Sequence, residues 1–174
     1  PEEFMEFLRM DLFQGEIFVF TPEGEVRALP KGATAIDFAY TIHTEVGHQC
    51  SSAKVNGRIL PLSRELQNGD TVEIITSSKQ HPSRDWLAFV KTSRARTQIR
   101  QWVRRQEFDS AHKIGKSLFR RLLKKARRAL PEQKDELLAA AVALGYKDFD
   151  QIYAALGMGE LGPTRVLKQF YPDH

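Results

Sequence analysis

Gly47-His48-Gln49-Cys50 is the sharpest chemical feature of this 174-residue chain. An imidazole in a loop exposed by its neighbouring glycine can hydrogen-bond a phosphate, a ribose or a base edge, and it can stack on an unpaired base. Lys54 and Arg58 flank an Asn56-Gly57 turn and are expected within reach of a backbone phosphate near His48. Arg94, Arg96 and Arg100 follow Thr92-Ser93 at an expected helix start. There, unpaired backbone N–H groups and guanidinium forks both favour phosphate, although an interdomain brace would use the same residues. The run Arg120, Arg121, Lys124, Lys125, Arg127, Arg128 has aliphatic residues interleaved at helical spacing and no aromatic platform. Such a run touches an RNA backbone without reading sequence, or it forms a solvated helix face.

Other reactive residues carry less. Cys50 is the single cysteine, so an internal disulfide and a cysteine zinc cluster are excluded. With no triad around it, Cys50 reads as a small buried residue. His43 lies one turn beyond Ala39 and reads as a core or helix-terminal residue. His43, His48 and His81 have no carboxylate-histidine spacing, so no metal site is expected. Gly157-Met158-Gly159-Glu160-Leu161-Gly162 fits a dinucleotide-binding pattern in letters only, because a helical segment precedes it where a strand is required. It reads as a loop between helices. No catalytic constellation and no cofactor is expected.

The net charge of +4 conceals a lopsided distribution. From Lys91 to Arg128 there are 14 basic and 2 acidic residues, +12, which leaves −8 for the rest. Such asymmetry points to a polyanionic partner for one face. Hydrophobic residues make up 41%, enough to build a packed core. The sequence shows no membrane span and no signal peptide, so a soluble cytoplasmic protein is expected. The chain opens Pro1-Glu2-Glu3, without methionine, and reads as a piece of something longer.

These residues need elements to hold them. Phe4, Phe7, Leu8, Leu12 and Phe13 have helical spacing and read as the tail of a preceding helix. Glu16–Phe20 and Glu25–Leu29, joined by Thr21-Pro22-Glu23-Gly24, predict a hairpin. Thr34 is placed to cap a helix to about His43, with Gly47 as its left-handed stop. Ala53–Leu60 predicts a second hairpin around Asn56-Gly57, and Thr71–Thr76 a last strand. From Ser83 onward the pattern is helical. Ser83 and Ser93 are expected caps, and a separate helix is expected over 109–129 with Ile114, Leu118, Leu122 and Leu123 inside. A helix from Pro131 follows, carrying Leu137, Leu138, Val142 and Leu144, then two short helices over 149–156 and 164–170. The class is α+β: residues 1–14 are a connection, 15–77 a β-grasp domain, 78–83 a linker and 84–174 a helical domain.

Several phrases narrow this further. Gly15 to Thr76 resembles a TGS domain, the ubiquitin-like module of threonyl-tRNA synthetases, some GTPases and RelA/SpoT enzymes. Asp11-Leu12-Phe13-Gln14 with Glu16–Pro22, Asp37-Phe38-Ala39-Tyr40, Ile42-His43-Thr44, Gly47–Cys50 and Asn68–Thr76 are similar to the RelA/SpoT group. Pro82–Leu87, Thr92–Arg96 and Ile99-Arg100 resemble the start of its helical domain. The resemblance implies a regulatory module of a stringent-response (p)ppGpp synthetase/hydrolase, a GTP pyrophosphokinase whose two catalytic domains are not in this chain. It implies that the TGS domain grips the 3′ CCA end of deacylated tRNA on the ribosome, with His48 as leading contact and Lys54 and Arg58 beside it. Arg94, Arg96, Arg100, Arg120, Arg121, Lys124 and Lys125 would then meet tRNA or ribosomal RNA backbone. The alternative is docking of acyl carrier protein or of the enzyme's own catalytic domains. A second copy of the chain is a further partner that the sequence allows.

Overall fold

The structure, a computed structural model, describes residues 15–174. The helix expected over 4–13 lies outside them. The described chain forms two compact units, divided after Val103.

The first unit opens with strands β1 (Glu16–Phe20) and β2 (Val26–Pro30), paired antiparallel from Glu16↔Pro30 to Phe20↔Val26. Helix α1 (Ala35–Ile42) and the short helix α2 (Thr44–His48) follow. Strand β3 (Cys50–Val55) pairs antiparallel with β4 (Arg58–Leu60) and β5 (Val72–Thr76). A parallel bridge between Phe20 and Thr71, with the Phe20 N–H donating to Asp70, links β1 to the start of β5. The strands therefore run β2-β1-β5-β3-β4, the expected β-grasp. The Asn56-Gly57 turn has φ of 54° and 83°, as a two-residue hairpin loop requires.

Every residue of α1 from Ala35 to Tyr40 is buried. A helix buried all round must be covered on more than one side. Phe38 packs with Val19, Leu29, Val55 and Val72 of the sheet, while Ile36, Ala39 and Tyr40 pack with Trp86, Val90, Ala95 and Ile99. Trp86 belongs to a 3-10 turn (Arg84–Ala88) capped by Ser83 as expected, and Ala95 and Ile99 to helix α3 (Ser93–Ala126). The compact unit thus continues past the expected linker at 78–83, and residues 84–103 cover α1. His81, inside the expected linker, stacks on Trp102 with ring centroids 5.3 Å apart.

One buried side chain ties this arrangement together. Asp37, in the first turn of α1, accepts from Thr34 N (2.8 Å), Thr34 Oγ1 (3.0 Å), Lys91 N (3.1 Å), Thr92 N (2.8 Å) and Thr92 Oγ1 (2.8 Å). Thr92 in turn accepts from Ala95 N and so caps α3, one residue before the expected Ser93.

Two helices expected over 93–129 are one, 34 residues long. The stretch Arg104-Arg105-Gln106-Glu107-Phe108-Asp109 contains neither glycine nor proline, and nothing in it ends a helix. The helix closes at Arg127, whose φ is 56°, with Arg128 N donating back to Leu123 O.

The second unit is α-helical. From α3 it buries Ala111, Gly115, Phe119 and Leu123, while Ile114, expected inside, is 53% exposed. The inward stripe is set by close approach: a Cβ on Gly115 would lie 1.7 Å from Tyr153 O, and one on Gly157 would lie 1.8 Å from Ala111 O. Helix α4 spans Lys134–Ala143, so Pro131 precedes it rather than starting it. It buries Ala140 and Ala141 and exposes Leu138 and Val142, contrary to expectation. Helices α5 (Phe149–Met158) and α6 (Pro163–Phe170) complete a core of Phe119, Leu123, Phe149, Ile152, Leu156, Val166 and Leu167. The three glycines of the G-x-G-x-x-G phrase pack α5, close it with φ of 77° and precede α6. No helix among the described residues is long and apolar enough to cross a membrane.

Candidate functional site

His48 is the last residue of α2 and stands two residues before β3. Helix α2 begins directly after α1 because His43 turns extended and its ring nitrogen accepts from Glu45 N at 3.0 Å. His43 is therefore a helix cap, and it is exposed rather than in the core. Gly47 does not stop a helix in the left-handed region; it lies within α2. Its role is room, since a Cβ there would lie 2.2 Å from the Tyr40 ring. That close approach brings the Tyr40 hydroxyl to 2.9 Å from His48 Nδ1, with the two rings edge to face.

Burial lowers the pKa of His48 from its ordinary value, and Glu45 opposes this in part. Burial also holds the Tyr40 phenol well above the ordinary range, helped by Cys50 and Glu45. His48 is half-buried, Tyr40 and Cys50 fully so. The Cys50 thiol is pushed up to about 12 by burial, so it is inert near neutral pH.

Strand β3 separates His48 from the Asn56-Gly57 turn. Five residue steps at roughly 3.3 Å each place Arg58 at the far end of the strand from His48. Lys54 is exposed between buried Ala53 and Val55, on the strand face away from the core, and pairs in register with Glu73. Arg58 instead lines a groove of about 290 Å³ with Arg64, Leu60 and Leu66. These three residues do not form one cluster.

Arg94 is exposed, while Arg96 donates to Val90 O at 3.3 Å and so braces the start of α3. Arg100 is half-buried. In the second unit Arg120, Arg121, Lys124 and Lys125 are all exposed. Arg120 and Lys124 edge a groove of about 350 Å³ together with Lys116 and Arg128, over Phe119, Leu123, Leu130 and Tyr153. Arg121 and Lys125 do not line it. The four-residue spacing 116, 120, 124 was the available sequence signal, because residues four apart share a helix face; Arg128 joins them from just beyond the end of α3. Tyr40 and Asp37 were visible only as members of a motif; their partners lie 8 and up to 55 residues away.

A β-grasp unit with a histidine-bearing second helix, followed by an α-helical unit, defines the class. The TGS domain family matches residues 17–76, and the RelA/SpoT AH domain family matches residues 102–171. The chain is 46% identical over 175 residues to a GTP pyrophosphokinase of Myxococcus xanthus, covering 99% of this chain and 23% of that protein. It is 46% identical over 175 residues to a GTP pyrophosphokinase of Streptomyces coelicolor, covering 97% and 20%. It is 45% identical over 179 residues to the bifunctional (p)ppGpp synthase/hydrolase RelA of Mycobacterium tuberculosis, covering 99% and 24%. The chain belongs to the RelA/SpoT family and carries the TGS and AH domains of its regulatory region. It spans less than a quarter of the length of these relatives.

Proposed function

We propose that this chain is the sensing segment of a (p)ppGpp synthetase, holding the unpaired 3′ end of deacylated tRNA at His48 and doing no catalysis itself. The observation that carries the reading is the state of His48. Its ring is half-exposed, braced by Tyr40 through Nδ1, and Nε2 has no hydrogen-bond partner among the described residues. A braced imidazole with a spare nitrogen suits a single-stranded RNA end, whose bases and ribose hydroxyls are open to contact. The exposed cations of the AH unit add sequence-independent attraction to the RNA backbone, on tRNA or on the ribosome. Ordering of this contact would shift the population of the whole enzyme toward its active state, to the extent that tRNA binds the two states differently.

Fluorescence anisotropy with deacylated and aminoacylated tRNA, at two salt concentrations, tests this. Selective binding of the deacylated form, lost in His48→Glu, is expected. Equal and steeply salt-dependent binding of both forms, indifferent to the substitution, would sink it.

A second reading is favoured by the groove in the AH unit. Four cations edge an apolar floor with no acidic residue among its lining, which suits an acidic helical protein such as acyl carrier protein, or a catalytic domain of the same enzyme. Aminoacylation of tRNA would then be irrelevant.

A further inference from the structure

Tyr40 has no exposed surface, and His48 Nδ1 is the one hydrogen-bond partner of its hydroxyl among the described residues. A buried hydroxyl carries one proton, and leaving that proton unpaired is costly. A protonated Nδ1 would take the phenol oxygen as acceptor and leave the O–H with nowhere to donate. Only a bare Nδ1 satisfies the phenol, and a neutral imidazole with bare Nδ1 carries its proton on Nε2.

We infer that Tyr40 is a positioning residue that holds His48 as the neutral Nε2–H tautomer, so that the site offers one uncharged N–H donor to a ribose oxygen or base-edge acceptor rather than to a phosphate. This rests on the reading of His48 as the contact for an unpaired RNA end. The surroundings agree with the geometry. Burial disfavours the imidazolium, and the groups facing the ring are Glu45 on α2, the Tyr40 phenol on α1 and, behind it, the Cys50 thiol on β3. Glu45 alone pulls toward protonation. Phosphate recognition draws its strength from paired charge, which a neutral ring does not supply. Specificity for an acceptor does not need that charge.

Tyr40→Phe keeps the ring against Gly47 and removes only the hydroxyl. Nitrogen-proton correlation spectra of the imidazoles, with the His48 signals assigned by loss in His48→Gln, report tautomer and titration directly. Wild-type protein is expected to show Nε2–H at neutral pH. Tyr40→Phe is expected to show mixed tautomers and a titration midpoint moved up. A wild-type Nδ1–H tautomer, or an unchanged tautomer in Tyr40→Phe, overturns the inference. In the tRNA assay, Tyr40→Phe is expected to weaken binding about fivefold, the size of one net hydrogen bond. Wild-type affinity is expected to exceed that of His48→Ala already at neutral pH, where the ring is uncharged, and a wild-type advantage that appears only once the ring is protonated overturns the inference. Absence of tRNA binding at every pH overturns the functional reading instead, and the spectra then decide the tautomer by themselves.

Discussion

The hydroxyl of Thr92 donates a 2.8 Å hydrogen bond to Oδ1 of Asp37, 55 residues earlier in the chain. The same threonine oxygen accepts from Ala95 N. A single hydroxyl therefore joins the first turn of α1 to the first turn of α3, and Asp37 gathers four further bonds from Thr34, Lys91 and Thr92 around it.

Asp37→Ala is expected to lower unfolding free energy by about 3 kcal/mol or more, because buried N–H donors lose their acceptor. Asp37→Asn should fare little better. Its amide would point N–H groups at a site built entirely of donors. Urea denaturation of the chain checks both, and a loss under about 1 kcal/mol in each would mean that water replaces the carboxyl group.

The crossing of α3 and α5 gives a prediction whose sign is informative. By propensity alone, Gly→Ala inside a helix stabilises by about 1 kcal/mol. At Gly115 and Gly157 the new methyl meets a carbonyl oxygen at 1.7 and 1.8 Å, so backbone must move. Each substitution is expected to destabilise by about 2 kcal/mol or more. The double variant should cost less than the sum, since one separation of the helices relieves both clashes. Thermal or urea unfolding of the three variants provides the comparison.

The β-grasp was legible because its signals are local. Asn56-Gly57 and Thr21–Gly24 each dictate a turn, and the flanking residues alternate in and out. The extent of the first unit was hidden, because it depends on which face of α1 remains to be covered. Ile36, Phe38, Ala39 and Tyr40 point to more than one side of α1, which says that a second cover exists without saying which residues supply it. Ile114, Leu138 and Val142 misled for a related reason. Helix faces were chosen by side-chain size, whereas the packing here follows small residues that allow backbones to approach, namely Ala111, Gly115, Ala140 and Ala141. His48 was found from its motif alone; the tyrosine that braces it required the fold.

Cys50 is expected to resist alkylation in the native protein. Its thiol has no exposed surface and is pushed up to about 12, so almost no thiolate exists near neutral pH. Iodoacetamide labelling followed by mass measurement should be slow in buffer and rapid in urea. Rapid native labelling would show that β3 opens easily at its start.

His48 gives a pH dependence of stability. Its folded midpoint is lowered, so the folded protein binds fewer protons than the unfolded chain between that midpoint and about 6.5. The contribution of the neutral ring is complete above that range and is lost as the pH falls through the lowered midpoint. The urea midpoint of the wild type should therefore decline with acid more than that of His48→Gln over this interval. Parallel curves would mean that the ring is not desolvated.

The Asn56-Gly57 turn has a consequence for chemical ageing. An asparagine followed by glycine is prone to deamidation, because its side chain can be attacked by the next backbone nitrogen. Here the Asn56 amide donates to Asp70 Oδ1 at 2.9 Å, and its carbonyl accepts from Thr71 N at 2.9 Å. With both ends of the side chain held, cyclisation requires the turn to part from Asp70 and Thr71 first. Loss of the Asn56 amide in stored protein, followed by mass spectrometry, thus becomes a clock for the parting of this turn from the segment that leads into β5, one that runs faster in Asp70→Ala than in the wild type.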